Sequence, residues 1–435
     1  MIIPVSMQFQ TVGILGLGRS GLASAAALVA AGAVVHAHDD HASPALPDGA
    51  MATAWQDWPW AQMDALVISP GIPHRFPEPH PAAARAEAEG VAIISDIEVL
   101  MRARPQARII GITGTNGKST TALLLDHMLK AAGIASVVGG NIGHAVLALD
   151  DPGPEGVMVL ELSSYQLETT PGLRLDAGAV INITPDHLDR HDGWQGYCAA
   201  KANLAKAVIP EGLLVLGRGD ELDTMATAAT AQAERIGPGD APIIINCPAL
   251  AGPHNIENTA IAFKLAGFLG ADRAPMEAAL DTFTGLPHRM EEVARSGPIH
   301  FVNDSKATNA AAARQALRSF PAIYWIAGGE AKAEGLAPLI DDLGNVTCAY
   351  LIGASAESFA AALAGHIPAK RCGTLDEAVT TAFDDARRAD AAEATILLSP
   401  AAASFDQFRN FEERGLAFRD LATTLATEAA DVHAQ

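Results

Sequence analysis

A glycine-rich loop between a strand pattern and a helix pattern constrains the fold of this chain more than any other feature. The apolar run 108–113 predicts a β-strand, and apolar residues at helical spacing over 119–130 predict an α-helix. Glycines between the two let backbone N–H groups converge on phosphate oxygens. Lys118 can reach the terminal phosphates of a nucleotide, and the Ser119 hydroxyl can bind Mg²⁺. The predicted phosphate-binding residues are Gly114, Thr115, Asn116, Gly117, Lys118, Ser119 and Thr120.

This loop implies a protein that handles ATP. The stricter form of the motif would have a glycine at position 112, where this chain has Ile112. A glycine-rich turn without a ligand is the alternative interpretation.

Composition limits the class of protein. A chain of 435 residues is long enough for two to four domains. The net charge of −21 and the lack of a long Lys/Arg cluster argue against nucleic acid or an anionic membrane as the main partner. The 4 cysteines show neither a disulfide framework nor zinc-site spacing, and the N-terminus does not resemble a signal peptide. We therefore expect a cytoplasmic protein without membrane insertion, in which no feature requires more than a monomer.

Short apolar strands alternate with helical stretches almost throughout, which predicts an α/β fold with parallel sheets. We divide the chain into three domains, at residues 1–96, 97–285 and 286–435. The predicted strands are 11–15, 33–37, 64–69, 91–95, 108–113, 157–161, 178–183, 299–303, 322–327, 349–353 and 395–399. The predicted helices include 20–31, 119–130, 195–201 and the alanine-rich stretch 224–234.

The first predicted strand is followed by a second glycine motif. Residues 16–21 fit G-x-G-x-x-G between a strand and a helix, which indicates a site for a dinucleotide or a nucleotide-sugar diphosphate. Asp39 and Asp40 follow the second strand, where a carboxylate can accept hydrogen bonds from ribose hydroxyls. An ordinary turn at the end of the strand is the alternative. The tight loop 69–72 lies at the same predicted edge of the sheet.

Polar residues also follow two strands of the second predicted domain. Glu161 ends an apolar strand, as does the acid that a nucleotide site presents to Mg²⁺. The loop 182–190 contains His187 together with three charged residues, and this density favours a site over a structural histidine. Lys201 lies in a segment of helical character, and sequence physics alone suggests a solvated lysine.

The third predicted domain has two polar loops between a strand and a helix. The loop 303–309 has six polar or charged residues in seven, more than a helix cap requires, with Ser305 or Thr308 available as that cap. The loop 399–408 offers the N-terminus of a helix to an anion, although a plain capped turn remains an alternative.

Together these motifs resemble the Mur ligase family over essentially the whole chain. The segments that carry the resemblance are 113–119, 139–143, 160–168, 186–190, 254–255, 286–289, 304–309 and 399–408. Within the family, 139–143, 161–168, 304–309 and 404–408 are most similar to the branch that adds D-glutamate.

The resemblance implies an ATP-dependent amide ligase of peptidoglycan synthesis that uses Mg²⁺. Its substrates would be UDP-N-acetylmuramoyl-L-alanine and D-glutamate. An N-terminal Rossmann-like domain would hold UDP, a central P-loop ATPase-type domain would hold ATP, and a C-terminal Rossmann-like α/β domain would hold the amino acid. The L-alanyl carboxylate would first become an acyl phosphate, which the amine of D-glutamate then attacks.

The resemblance also implies roles for individual residues. The residues expected to carry catalysis are Lys118, Glu161, His187, Lys201 and Lys306. The expected metal ligands are Ser119, Glu161, His187 and Lys201, the last as a carbamate, which reverses the interpretation of this lysine as merely solvated. The adenine, ribose or phosphate region would meet Asn258, His288, Arg289, Asp304 and Lys306. UDP would face Gly18, Asp39, Asp40, Ser69 and Gly71; Asn141 would bind the muramoyl-peptide portion; and Thr308, Lys332, Ser404 and Phe411 would surround D-glutamate.

Two departures from the family pattern affect these assignments. The family often has a basic residue or threonine where this chain has Asp39, Asp40 and His41, and Ala331 replaces a glycine before Lys332. Two other functions stay open at this point. One is a related ligase, either another Mur ligase or a folylpolyglutamate synthetase-like enzyme. The other is a nucleotide-binding or UDP-sugar-binding protein without ligase activity.

Overall fold

The computed structural model describes residues 1–240, 247, 250, 252–285, 287–332, 334–389 and 392–433. The described residues form two compact units. The first lies within Met1–Ile244 and Pro253–Thr282, and the second within Ile245–Gly252 and Phe283–Gln435. The first unit contains two sheets and the second contains one, so each predicted domain has its own sheet. The predicted boundary at 286 lies outside the described residues, and the three-domain division stays a prediction.

The first sheet is built from five parallel strands in the order β3-β2-β1-β4-β5. Its elements are β1 (Thr11–Leu15), α1 (Arg19–Ala30), β2 (Val34–His38), β3 (Ala50–Ala52), β4 (Ala65–Ile68), α2 (Pro81–Glu89), β5 (Ala92–Ile94) and α3 (Asp96–Ala103). The four strands and the helix predicted here are confirmed to within two residues at each end. The short edge strand β3 was not predicted.

The second sheet has six strands in the order β11-β10-β9-β6-β8-β7, all paired in parallel. Its elements are β6 (Arg108–Thr113), α4 (Lys118–Ala131), β7 (Ser136–Gly140), β8 (Val157–Glu161), α5 (Ser164–Glu168), β9 (Leu175–Val180), α6 (Trp194–Ala207), β10 (Val208–Leu216), α7 (Asp220–Ala228), β11 (Gln232–Arg235), α8 (Pro253–Phe268) and α9 (Arg273–Thr282). The predicted strands β6 and β8 are confirmed residue for residue, and the strand predicted at 178–183 begins and ends three residues earlier, as β9.

The helix predicted at 224–234 is wrong in its second half. The helix ends at Ala228, and Gln232–Arg235 forms the edge strand β11, paired in parallel with Leu213 to Leu216 of β10. Alanine favours a helix locally, but the backbone of β10 offers a row of hydrogen-bonding groups that an edge strand satisfies. Tertiary pairing therefore overrides local propensity here.

The third sheet, in the second unit, has the order β12-β13-β17-β14-β15-β16. Its elements are β12 (Glu291–Ser296), β13 (Ile299–Asn303), α10 (Ala310–Ser319), β14 (Ile323–Gly328), β15 (Val346–Ile352), α11 (Ala356–Leu363), β16 (Ala369–Gly373), α12 (Leu375–Ala389), β17 (Ala394–Leu398) and α13 (Phe411–His433). Only β12 is antiparallel to its neighbour. The four strands predicted for this region are confirmed as β13, β14, β15 and β17.

One buried apolar cluster joins the two sheets of the first unit. It includes Ile14 and Leu28 from the first sheet and its helix, and Leu160 and Val180 from the second sheet, all fully buried. This packing holds the carboxyl ends of strands from both sheets within one body, where parallel α/β folds bind ligands. Among the helices of the described residues, none is long and apolar enough to cross a membrane.

Candidate active site

The phosphate loop connects β6 to α4, and its backbone adopts conformations that favour glycine. Gly114 has φ 158° and Gly117 has φ 84°. Nζ of Lys118 donates hydrogen bonds to the carbonyl oxygens of Gly114, at 2.9 Å, and Thr115, at 2.8 Å. The ammonium group is therefore held at the loop, where a terminal phosphate would meet it. Ser119 and Thr120 are buried in the first turn of α4.

Side chains from other elements support this loop. The Thr115 hydroxyl is 3.0 Å from the Tyr197 hydroxyl, and the Asn116 N–H donates to Oδ1 of Asn182 at 2.9 Å. A β-carbon at Gly117 would lie 2.3 Å from Oδ1 of Asn258, so this asparagine packs directly against the loop. Side chains from α6 and α8 therefore contact the loop, which sequence alone did not indicate.

Glu161 ends β8, and only one of its two carboxylate oxygens accepts a hydrogen bond. Nδ2 of Asn141 donates to its Oε1 at 2.9 Å. Its Oε2 is buried and has no hydrogen-bonding partner in the structure. A buried carboxylate oxygen without a donor is costly unless a cation or donor completes it. This arrangement fits the metal-ligand role that the sequence predicted for Glu161.

Lys201 is buried rather than solvated, with an exposed fraction of 2%. Its Nζ donates to the carbonyl oxygen of Gly114 at 2.8 Å and lies 4.8 Å from the centre of the Tyr197 ring. Burial, followed by the nearby charge of Lys118, lowers the pKa of Lys201 to about 7. The interpretation from sequence physics alone was therefore wrong, because the helix face that carries Lys201 packs against the sheet. A neutral amine is the form that reacts with CO₂ to give a carbamate.

The loop after β9 brings His187 to the same region. His187 has φ 49°, and its ring lies 5.4 Å from that of Tyr165. The guanidinium of Arg190 lies 4.5 Å from the centre of the Tyr165 ring and donates to the carbonyl oxygen of Gly71 at 3.2 Å. Tyr165 was not predicted as a site residue, and its neighbours in the Glu161 to Glu168 motif were the only signal available.

Several of these residues line one cavity of about 300 Å³, which we call the phosphate-loop cavity. It is lined by Pro70, Gly71, Lys118, Asn141, Ser163, Ser164, Tyr165, Asp186, His187, Tyr197 and Lys201. Predicted residues from five different segments of the sequence therefore meet here. Ser163, Ser164 and Tyr197 were missed because each occupies an ordinary helical or capping position in the sequence.

A second cavity of about 690 Å³, the N-terminal cavity, lies at the carboxyl ends of β1, β2 and β4. Its walls include every residue predicted to face UDP, namely Gly18, Asp39, Asp40, Ser69 and Gly71. Asn141 lines both cavities, as do Pro70 and Gly71, so the two cavities adjoin. Asp96 and Gln166 also line the N-terminal cavity and were not predicted.

The carboxylate of Asp39 accepts hydrogen bonds from three backbone N–H groups. Its carboxylate accepts N–H donors from Leu17 at 2.6 Å and from His41 and Ala42 at 2.9 Å. Burial acts to raise the pKa of Asp39, but these donors outweigh it and hold the pKa below its ordinary value. The carboxylate thus stays ionised and shapes the loop around the glycine motif.

Asp40 lies between two imidazoles. Its Oδ1 is 3.1 Å from Nε2 of His38, and its Oδ2 is 2.8 Å from Nε2 of His80. Because Nδ1 of His80 accepts the Ala82 N–H, the hydrogen of this ring is on Nε2 and is donated to Asp40. Burial opposes ionisation, yet the two histidines lower the pKa of Asp40.

The second unit contains a separate cluster of predicted residues. Asp304 follows β13 and is buried, and it accepts a hydrogen bond from the Ser399 hydroxyl at 2.7 Å. Burial raises the pKa of Asp304 to about 7, against the opposing effects of Ser399 and Arg289. Nδ1 of His288 accepts from Asn303 at 3.0 Å, and burial lowers the pKa of His288. Nε of Arg289 is buried without a hydrogen-bonding partner in the structure.

Lys306 and Phe411 also meet in this unit, with Nζ 5.3 Å from the centre of the ring. Ser404 is buried, Thr308 is half-buried and Lys332 is exposed. The cap of α10 is Asn309, which accepts the Ala312 N–H, and neither Ser305 nor Thr308 as the sequence suggested. Asn309 provides this cap because its side chain precedes the first helical residue, where Asn is strongly favoured.

Arg414 is buried, and the sequence did not indicate a role for it. Its guanidinium donates to the Ser305 hydroxyl and to the carbonyl oxygens of Ser305 and Ala402, at 3.0, 2.9 and 3.1 Å. It therefore ties the loop after β13 to the loop after β17. Its pKa is lowered to about 10 by burial, which leaves it charged at neutral pH. Nothing in the sequence distinguishes it from a surface arginine.

Within the described ranges, no group of three or more His, Cys, Asp or Glu side chains could hold a metal by itself. Such a group is not required for Mg²⁺, which is commonly bound by one or two carboxylates and substrate phosphates.

Two family models match the chain. One describes the Mur ligase middle domain and matches residues 112–241. The other describes the Mur ligase glutamate ligase domain and matches residues 288–402. Curated relatives named UDP-N-acetylmuramoylalanine–D-glutamate ligase include one from Nitrobacter hamburgensis, 43% identical over 98% of each chain. Another, from Caulobacter vibrioides, is 43% identical over 96% of this chain and 97% of its own length.

Solved structures show the same fold at low sequence identity. The UDP-N-acetylmuramate-alanine ligase MurC from Thermotoga maritima has a TM-score of 0.60 at 17% identity and covers 96% of this chain and 99% of its own. MurF from Acinetobacter baumannii has a TM-score of 0.56 at 19% identity, over 78% of this chain and 87% of its own. At such identities the likeness shows the fold alone.

Proposed function

The chain belongs to the Mur ligase family, and from this membership we propose the reaction that it catalyses. It is an ATP-dependent ligase that joins D-glutamate to UDP-N-acetylmuramoyl-L-alanine, with formation of ADP and phosphate, in peptidoglycan synthesis. Curated relatives that carry this activity in their names align over nearly the whole chain.

One structural observation carries the proposal: the two cavities of the first unit share a wall. The N-terminal cavity surrounds the glycine motif and has the size of a nucleotide-sugar site. The phosphate-loop cavity contains Lys118 and Lys201, and Asn141 and Gly71 line both cavities. A UDP-linked substrate in the first cavity can therefore extend its peptide carboxylate to a phosphate in the second.

In the first step, an oxygen of the L-alanyl carboxylate attacks the γ-phosphorus of ATP. The bond from that phosphorus to the bridging oxygen breaks, and ADP leaves with the electron pair. Lys118 is held at the loop by the carbonyl oxygens of Gly114 and Thr115 and meets the negative charge of the transferred group. The loop N–H groups, with Ser119 and Thr120 at the start of α4, hold the remaining phosphates.

Mg²⁺ would be held by Ser119, Glu161, His187 and carbamylated Lys201, and when bound it would neutralise charge on the phosphate oxygens. The unpartnered Oε2 of Glu161 supports this assignment. The burial of Lys201 and its lowered pKa support the carbamate, because they favour a neutral amine.

In the second step, the amine nitrogen of D-glutamate attacks the acyl carbon, the bond from carbon to the phosphate oxygen breaks, and phosphate leaves. We assign the amino acid to the second unit, with Thr308, Lys332, Ser404 and Phe411 around it. For the nucleotide, we propose contacts with Lys306, Asp304, His288 and Arg289, and separately with Asn258.

We further propose that residues 1–96, 97–285 and 286–435 act as the UDP-substrate, ATP and amino-acid domains. Peptidoglycan precursors of this kind are made in the cytoplasm, and we assign the chain to that compartment, as a monomer.

The test is release of inorganic phosphate from ATP and Mg²⁺ with UDP-N-acetylmuramoyl-L-alanine, run in parallel with D-glutamate, L-glutamate, L-lysine or no amino acid, with product masses measured. We expect phosphate release and a new amide with D-glutamate alone. Ligation of a different amino acid would change the assigned acceptor. A Lys118→Ala variant that kept full ATP-dependent ligation would contradict the mechanism.

A further inference from the structure

Three side chains form a hydrogen-bonded chain that ends at the wall of the phosphate-loop cavity. Nδ1 of His191 is 2.9 Å from Oε1 of Glu168. Nε2 of the same ring is 2.8 Å from Oγ of Ser164. Ser164 lines the cavity beside Lys118 and Lys201.

The chemistry of the three groups determines the direction of these hydrogen bonds. An ionised carboxylate only accepts, so Nδ1 of His191 carries a hydrogen and donates it to Glu168. In the neutral imidazole, Nε2 is then the nitrogen without a hydrogen, and it accepts the hydrogen of the Ser164 hydroxyl. This is the order carboxylate, imidazole, hydroxyl that activates a serine oxygen in unrelated enzymes.

Packing holds the imidazole in this orientation. The His191 side chain is fully buried, stacked on the Tyr165 ring at 5.1 Å with an interplanar angle of 10°, and its other ring contact is Tyr197 at 5.4 Å. A histidine with only a structural role needs burial alone, whereas this imidazole is also held in one orientation and is hydrogen-bonded to a residue of the cavity wall.

The reaction needs a proton acceptor at this place. The amine of an amino acid is an ammonium ion at neutral pH and cannot attack an acyl carbon until it loses a proton. We propose that Ser164, hydrogen-bonded to His191 and through it to Glu168, takes this proton before the amine attacks. The inference rests on the proposed ligase activity and adds to it the base for the second step.

The ammonium group first gives one proton to Oγ of Ser164, whose hydroxyl proton passes to Nε2 of His191, and this leaves a neutral amine. The nitrogen lone pair then forms the bond to the acyl carbon. The bond from that carbon to the phosphate oxygen breaks, and phosphate leaves with its electron pair and with the second proton from nitrogen. The imidazolium is stabilised by the carboxylate of Glu168. Ser164 is the catalytic residue, and His191 and Glu168 are positioning residues.

The surroundings of His191 are consistent with a transient positive charge. Oε2 of Glu168 is buried without a hydrogen-bonding partner in the structure and lies 3.8 Å from Nε2 of His74. Glu168, His74 and Arg75 line a separate cavity of about 190 Å³. The guanidinium of Arg190 lies 4.5 Å from the centre of the Tyr165 ring, and Asp186 and Asp189 also act electrostatically on this tyrosine. Burial raises the pKa values of Tyr165 and Tyr197 to about 12, so neither phenol ionises to compete as a base.

The test uses Ser164→Ala and Glu168→Gln in the full chain. We expect Ser164→Ala to lower kcat with D-glutamate about 100-fold at neutral pH, the range of general base catalysis. The KM values for ATP and the UDP-linked substrate should not change, because the variant removes no predicted contact with either. The loss should shrink as the pH approaches the pKa of the amine. Glu168→Gln keeps an acceptor for Nδ1 but removes the charge, so we expect a smaller loss in the same direction.

Hydroxylamine separates the relay from a structural role. It is already neutral near neutral pH, so it can trap the acyl phosphate as a hydroxamate without a base. We expect Ser164→Ala to form the hydroxamate at the wild-type rate while it loses amide formation with D-glutamate. Ser136→Ala is the matched control, since it removes a buried serine hydroxyl that is 2.7 Å from Oδ1 of Asp126, and it should leave both rates unchanged.

Equal losses of hydroxamate and amide in Ser164→Ala would overturn the relay and assign these residues a structural role. Full ligation by Ser164→Ala at neutral pH would overturn it as well. A wild-type chain that forms hydroxamate but no amide with D-glutamate would instead contradict the proposed acceptor.

Discussion

Nδ2 of Asn141 donates a 2.9 Å hydrogen bond to Oε1 of Glu161, and this contact joins the end of β7 to the end of β8. The backbone reinforces the pairing, because the N–H of Asn141 donates to the carbonyl oxygen of Glu161 at 2.9 Å. Gly140 has φ 101°, and a β-carbon there would lie 2.2 Å from that same carbonyl oxygen. The carboxylate is therefore oriented by its neighbour, with Oε2 left for a cation.

Replacing Glu161 by glutamine tests the metal role. The side chain keeps its shape and its acceptor for Asn141, but it loses the charge that would bind Mg²⁺. We expect kcat/KM to fall by about 100-fold or more, with a higher Mg²⁺ concentration needed for half-maximal phosphate release. Glu155→Gln, at an exposed position before β8, should behave as the wild type. An unchanged Mg²⁺ dependence in Glu161→Gln would contradict the assignment.

The pH dependence of Lys201 follows from its lowered pKa of about 7. Above this pH the amine is neutral and can form a carbamate, and below it the amine is protonated and cannot. We therefore expect incorporation of isotope-labelled bicarbonate, measured by NMR, to decrease as the pH falls through about 7. Lys201→Met should show neither the label nor ligase activity. A wild-type chain that remains fully active without carbamate would contradict this role.

Gly117→Ala should weaken ATP binding through the loop backbone. Its φ of 84° disfavours any β-carbon, and the added atom would lie 2.3 Å from Oδ1 of Asn258. Gly133→Ala is the matched control, because its φ is 77° but its β-carbon would meet open space. Both variants should lose about 1–2 kcal/mol of stability from the backbone conformation. Only Gly117→Ala should raise the KM for ATP, measured at saturating UDP-linked substrate, and an equal KM in both variants would contradict packing against Asn258.

Arg414→Met should destabilise the second unit. The substitution leaves the buried carbonyl oxygens of Ser305 and Ala402 without a donor. We expect a loss of about 3 kcal/mol in the free energy of unfolding, because each buried acceptor left unpaired is costly. Arg409→Met removes an arginine that pairs with Glu413 on the surface and should leave stability nearly unchanged, because water screens an exposed ion pair. Similar urea midpoints for the two variants would refute this account.

Asp304 should make stability fall as the pH rises. Burial raises its folded-state pKa from 3.8 to about 7, so between these values the folded chain holds a proton that the unfolded chain has lost. Raising the pH through this range then lowers the free energy of unfolding by about 1.4 kcal/mol per unit from this site. Asp304→Asn should lack this contribution in urea unfolding measured across the range, whereas Asp341→Asn, at an exposed position, should retain it. Identical pH profiles for wild type and Asp304→Asn would contradict the shift.

Much of the fold was predictable from local patterns. The strands Thr11–Leu15, Arg108–Thr113, Val157–Glu161 and Ile299–Asn303 coincide with their apolar runs, because a buried parallel strand needs apolar residues on both faces. The stretch 224–234 is one exception, and it arises where alanine propensity and strand pairing disagree.

Local motifs identify the residues suited to the chemistry: a phosphate loop at 114–120, an acid at Glu161 and the polar loops at the carboxyl ends of strands. These motifs are local, so their spacing reports them directly. The burial of Lys201 and the hydrogen bonds of His191 to Ser164 and Glu168 become visible only when the chain is folded. The same is true of the two cavities that share Asn141 and Gly71. These features cannot be predicted from local patterns, because burial and hydrogen bonding depend on partners from distant segments of the chain. Lys201, for example, donates a hydrogen bond to the carbonyl oxygen of Gly114.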